Sequence, residues 1–75
     1  MSGVELKGGR WMESESGGLF FEEANSRRLF RVADGKFSHV VFAKPAFRIR
    51  VYSSEISEPE AMRMAPWVSE GFKVE

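Results

Sequence analysis

Asp34, Ser38 and His39 supply the three side-chain types of a hydrolytic triad within one short stretch. A serine becomes a nucleophile when a histidine within hydrogen-bond reach takes its proton. Ser38 and His39 are chain neighbours, however, and neighbours on a strand point to opposite faces. His39 is the only histidine, so no second base exists. It reads as a residue packed on or beside the core. Carboxylate pairs come next. Glu13 and Glu15 would share a strand face, where two carboxylates repel and one pKa rises. Glu22 and Glu23 form a second pair. Nothing in the sequence marks a substrate pocket beside either, and Glu occurs throughout the chain outside its centre, so all four read as solubilising surface. Gly8-Gly9 and Gly17-Gly18 miss the spacing of phosphate-cradling loops and open no convincing helix, so they read as turns. A chain with no Cys and one His lacks the ligands of the usual zinc sites. The expectation is a non-enzyme with no catalytic residue, no metal and no cofactor.

The residues left for recognition are mainly arginines. Positions 27–50 hold Arg27, Arg28, Arg31, Lys36, Lys44, Arg48 and Arg50 against Asp34 alone, while the whole chain is neutral with 11 basic and 11 acidic residues. Charge is therefore segregated along the sequence. Phe47 to Tyr52 alternates cleanly, which predicts a half-buried strand. On that reading Phe47, Ile49 and Val51 form a core stripe, and Arg48, Arg50 and Tyr52 share a wet face, with Arg28 and Arg31 on a strand nearby. Guanidinium groups beside an aromatic ring can grip the carboxylates of an acidic protein. The same face could contact phosphates and stack bases, or simply pair with the chain's own Glu residues. Trp67 belongs to a second set, with Trp11, Met12, Met62 and Met64. Residues of these types are enriched in interface cores, and they also suit a lid over a small core. The candidate binding residues are thus Arg28, Arg31, Arg48, Arg50, Tyr52 and Trp67.

Short strands and turns must position these side chains. A chain of 75 residues is one domain, 1–75, and must pack its seven Phe, two Trp and one Tyr tightly because it has no disulfide to help. Residues 1–9 read as a frayed end or a short edge strand. Strands are expected over 10–15, 19–23, 27–32, 37–43 and 47–52. Asp34-Gly35 marks a hairpin. A two-residue loop places Phe30 opposite His39, and a three-residue loop places it opposite Ser38. Lys44-Pro45 stops a strand, since proline cannot donate to a ladder. Ser57, with Glu60 three residues on, caps a short helix that Pro66 interrupts and Gly71 ends. Phe72 to Val74 adds a last edge strand. The predicted fold is α+β: a small antiparallel sheet of about five strands, as a meander or open barrel, with one short C-terminal helix. The connections look too short for parallel crossovers.

No motif identifies a family. The expected function is that of a non-enzymatic binding protein acting on a protein partner, as a small inhibitor or adaptor of the kind encoded by phage and mobile elements. A nucleic-acid-binding module using the basic strand face is the alternative. Open edge strands favour a homodimer. No apolar run approaches the length that spans a bilayer, so no membrane is expected, and a cytoplasmic location is the default.

Overall fold

Apolar alternation and turn chemistry shape the first half of the chain into a meander. The computed structural model describes residues 3–75. Its first four strands are β1 (Arg10–Glu13), β2 (Leu19–Glu22), β3 (Leu29–Ala33) and β4 (Lys36–His39), each antiparallel to the one before. Asp34 and Gly35 both adopt positive φ, 57° and 78°. This is the two-residue loop whose twist matches that of the strands it joins. It sets Phe30 opposite His39, which resolves the register that sequence leaves open. Trp11, Phe21, Phe30 and His39 then form one cross-strand row, and Met12, Phe20, Arg31 and Ser38 form a row on the other face.

The segment after β4 corrects the predicted fifth strand. Ala43–Tyr52 is a helix, α1. Pro45 is tolerated because its N–H would lack an intrahelical partner in the first turn anyway. Ala46, Ile49, Arg50 and Ser53 recur at helical spacing and point inward. Ala46 is small enough to lie close on Met12, Phe20 and Leu29. The chain then forms β5 (Ser54–Ile56), helix α2 (Glu58–Met64), a 3-10 helix (Pro66–Glu70) and β6 (Lys73–Val74). The sheet order is β5-β1-β2-β3-β4-β6. It is open, so the barrel alternative is not formed.

The expected count of about five strands and one helix therefore becomes, among the described residues, six strands and two helices. β6 pairs with β4 in parallel, contrary to the expectation that the connections were too short. Because 43–52 is a helix and not a strand, it serves as a crossover long enough to carry the chain from β4 to β5 at the far edge of the sheet. The capping expectation holds: the Glu60 N–H donates to Ser57 Oγ at 3.3 Å, and Pro66 separates α2 from the 3-10 helix.

The two faces are covered unequally. On one, Trp11, Leu19, Phe21, Phe30, Val32 and Phe37 pack beneath Ala61, Ala65 and Val68 of α2 and the 3-10 helix. The opening segment runs as coil, with Val4 and Leu6 packed against this core; residues 1 and 2 of that predicted frayed end lie outside the described residues. On the other face, α1 covers Met12, Phe20 and Leu29 with only Ala46 fully buried. Gly9 marks where the coil crosses the larger core. A Cβ there would lie 2.1 Å from Phe21 Cζ and 2.7 Å from the Glu22 carbonyl oxygen. The ring could move but the backbone could not. Gly9→Ala is expected to destabilise by about 2 kcal/mol, read as a lower urea midpoint with unchanged m.

Candidate functional site

Two buried carboxylates decide where most of the arginines go. Glu22 and Glu23, at the end of β2, are 3% and 5% exposed. Arg50 Nε donates to Glu22 Oε2 at 2.7 Å, and Arg50 Nη2 donates to the Arg27 carbonyl at 2.7 Å. Arg10 and Arg27 approach the same carboxylate at 3.4 and 3.6 Å. Burial pushes the Glu22 carboxyl up, but the Arg50 hydrogen bond and the charges of Arg50, Arg27 and Arg10 outweigh it and hold the pKa low. Glu23 accepts from Arg28 Nε at 2.6 Å, from the Ser26 hydroxyl and from the Glu5 N–H at 2.8 Å. Burial again opposes ionisation, and Arg28, Ser26 and Glu5 overcome it, lowering the pKa to about 2. The expectation that both Glu residues are surface is corrected: a strand end that packs inward takes its carboxylates with it, and arginines must follow.

These pairs make the fold sensitive to acid. Both groups have folded pKa values below their unfolded ones, so their stabilisation is complete above the unfolded value near 4.5 and is lost as pH falls toward the folded value, about 2 for Glu23. The melting temperature is expected to stay flat from neutral pH to about 5 and to fall steeply below that. Arg28→Met should lower the neutral-pH melting temperature and flatten that fall, because without the guanidinium burial raises the folded Glu23 pKa toward its unfolded value. A melting temperature independent of pH across this window would contradict the assignment.

The helix redistributes the other candidates. Arg48, Arg50 and Tyr52 share no face, so the basic strand face on which the nucleic-acid alternative rests is not formed. Successive residues of a helix turn by about 100°, which sends Arg50 inward to Glu22 and leaves Arg48 and Tyr52 outside, one turn apart. Arg48 and Tyr52 line an open hollow of about 340 Å³ with Ser14, Glu15, Ser16, Ile49 and Ser53. Ser53 Oγ is buried there without a hydrogen-bond partner. Arg28 is committed to Glu23 and to the Gly3 carbonyl at 2.8 Å, and its guanidinium lies 5.1 Å from the Phe30 ring centroid. Arg31 is exposed on the α1 side of the sheet, opposite Phe20 and Ser38. Trp67 is half-buried and meets Phe37 edge-on at 6.2 Å between ring centroids. It belongs with Met62 to the lid over the larger core, beneath which Trp11 of β1 is buried.

The outer side of α1 carries what the sequence reading missed. Val41, Phe42, Phe47, Val51 and Tyr52 are 67%, 74%, 65%, 53% and 63% exposed. Phe47 and Val51 are not core residues, as strand alternation predicts, but form an outward row one helical turn apart. Lys44, Arg48 and Tyr52 form the adjacent row. Single exposed apolar residues are ordinary, but several large ones on one helix and the residues that lead into it make a candidate interaction surface. The signal that could have found them is the spacing of Ala46, Ile49, Arg50 and Ser53, which is helical and leaves Phe47 and Val51 outside.

This surface is equipped to bind by apolar contact and charge. Ser38 and His39 lie on opposite faces of β4, beside Arg31 and Phe30 respectively. Among the described residues no group of three or more His, Cys, Asp or Glu side chains could hold a metal ion, and no helix is long and apolar enough to cross a membrane. Comparison with protein-family models, with curated proteins and with solved structures finds no match to this chain.

Proposed function

We propose that this is a non-enzymatic binding protein that docks on a protein partner through the outer side of α1, acting as a small inhibitor or adaptor in the cytoplasm. The observation that carries the reading is the cluster of exposed Val41, Phe42, Phe47, Val51 and Tyr52. The fold buries apolar side chains well elsewhere, including Phe21, Phe30 and Phe37 at 0% exposure. It thus has the means to hide large apolar groups, and leaves these five in water. A helix presenting apolar anchors at one-turn spacing is a common form of partner recognition.

Phe47→Asp combined with Val51→Asp tests the proposal. Both positions are exposed, so stability should change by no more than about 0.5 kcal/mol. The native chain should retain a reproducible partner at moderate salt, and the double variant should lose it. Retention of the same partner by the folded variant would overturn the reading. The nucleic-acid alternative predicts instead a binding constant that falls steeply with salt on single- or double-stranded probes.

A further inference from the structure

We infer that the segment occupying the outer side of α1 is an acidic amphipathic helix of the partner protein, lying along α1 with its apolar stripe on Phe47 and Val51 and its carboxylates on Lys44 and Arg48. The inference rests on the protein-docking reading above and narrows it.

Charge carries the first step. Arg10, Arg27, Arg28, Lys36 and Arg50 each have a carboxylate within ion-pair distance. Among the described residues, Lys7, Arg31, Lys44, Arg48, Arg63 and Lys73 have none, and four of these six sit on the α1 side of the sheet: Lys44 and Arg48 on the helix, Arg31 in the row of Phe20, and Lys73 beside Lys36 in register. The elements covering the opposite face carry Glu58, Glu60 and Glu70 against Arg63. The segregation seen along the sequence thus becomes segregation across the sheet. The exposed apolar row lies on the positive side, and its complement is apolar with acidic flanks.

Backbone chemistry carries the second step. The face of α1 offers no free edge of N–H and C=O groups, because a helix satisfies these internally. An extended segment laid on it would leave its own backbone groups unpaired at the contact. A helical segment brings its backbone already satisfied. The two rows on α1, Phe47-Val51 and Lys44-Arg48-Tyr52, are ridges of residues four apart, which are the ridges that seat in the grooves of a second helix. A nucleic-acid duplex would set phosphates against Phe47 and Val51, where neither gains.

The test uses the full chain and three capped helical peptides of about 15 residues, long enough to hold a helix. They share one leucine stripe and carry Glu, Gln or Lys at the flanking positions. Titration followed by amide shifts should show the Glu peptide binding at 41–53, the Gln peptide about tenfold weaker and the Lys peptide not at all. Lys44→Glu with Arg48→Glu should reverse the preference toward the Lys peptide. Equal binding of the Glu and Gln peptides would overturn the acidic assignment and leave the docking reading standing. Absence of all peptide binding, with the chain folded, would overturn the inference. Binding to phosphatidylserine-containing vesicles in place of peptides would overturn both, as would a concentration-dependent dimer that buries Phe47 and Val51.

Discussion

Phe37→Ala is expected to cost about 3–5 kcal/mol, a large share of the roughly 4–11 kcal/mol available to a domain of this length. Phe37 is 0% exposed. Its ring lies 4.3 Å from that of Phe72 and 6.1–6.2 Å from those of Trp11, Phe21, Phe30 and Trp67. It is the contact through which the meander, the 3-10 helix and the C-terminal strand share one core. Truncation would open a cavity that none of these neighbours can fill without leaving its own position. The C-terminus depends on the same residue in a second way, since Glu75 N–H donates to the Phe37 carbonyl at 2.8 Å and Val74 pairs beside it. Urea unfolding should show the midpoint of Phe37→Ala far below that of the native chain, with the amides of 72–75 losing protection first. Val51→Ala is the matched control. That residue is also large and apolar but 53% exposed, and its removal should change stability by no more than about 0.5 kcal/mol. Equal effects at the two positions would mean that Val51 is buried in solution.

How far the fold was legible follows the same division between local and tertiary control. Asp34-Gly35 predicts its hairpin because the loop conformation is set by those two residues. Ser57 predicts the start of α2, and Pro66 its interruption, for similarly local reasons. Residues 47–52 satisfy two periods at once. Phe47, Ile49 and Val51 alternate as in a strand, while Ala46, Ile49 and Arg50 recur as in a helix, and the β-branched and aromatic content favours the strand. The first turn of α1 has neither a side-chain cap nor an acidic residue. Tertiary contacts decide: the small Ala46 closes on Met12, Phe20 and Leu29, and the edge of β1 is taken by β5. The arginines depart from their expected places for a related reason. Counting charge along 27–50 finds a basic segment, but Arg27, Arg28 and Arg50 answer to Glu22 and Glu23, whose burial depends on strand packing and cannot be read from composition. The outward row of Phe47 and Val51 became visible only once the helix was established.

Arg50→Met is expected to destabilise by about 3 kcal/mol and to loosen α1, the proposed docking face. The usual cost of orphaning a buried ion is somewhat larger, and it is reduced here because Arg50 is 35% exposed and partly screened. Methionine keeps most of the apolar stem against the sheet, so the loss isolates the guanidinium. That group holds α1 at two points, Glu22 and the Arg27 carbonyl, and Arg27 itself carries a positive φ of 63° in the turn it closes. Apart from Ala46 and the half-buried Ile49, little else ties the helix down. Hydrogen exchange should therefore quicken across 43–52 while β1–β4 stay protected. The pH dependence gives the mechanism. Without Arg50, burial pushes the Glu22 carboxyl up and only the weaker approaches of Arg10 and Arg27 oppose it. The variant's deficit should then be largest at neutral pH, where Glu22 must stay ionised, and shrink toward pH 4. Glu22→Gln in the Arg50→Met background should recover part of the stability, because it removes the stranded charge. It should not restore slow exchange in α1, because the tether remains cut. Stability and helix protection would rise together if α1 were held mainly by apolar packing. They should separate if a carboxylate and a guanidinium hold α1 on the sheet.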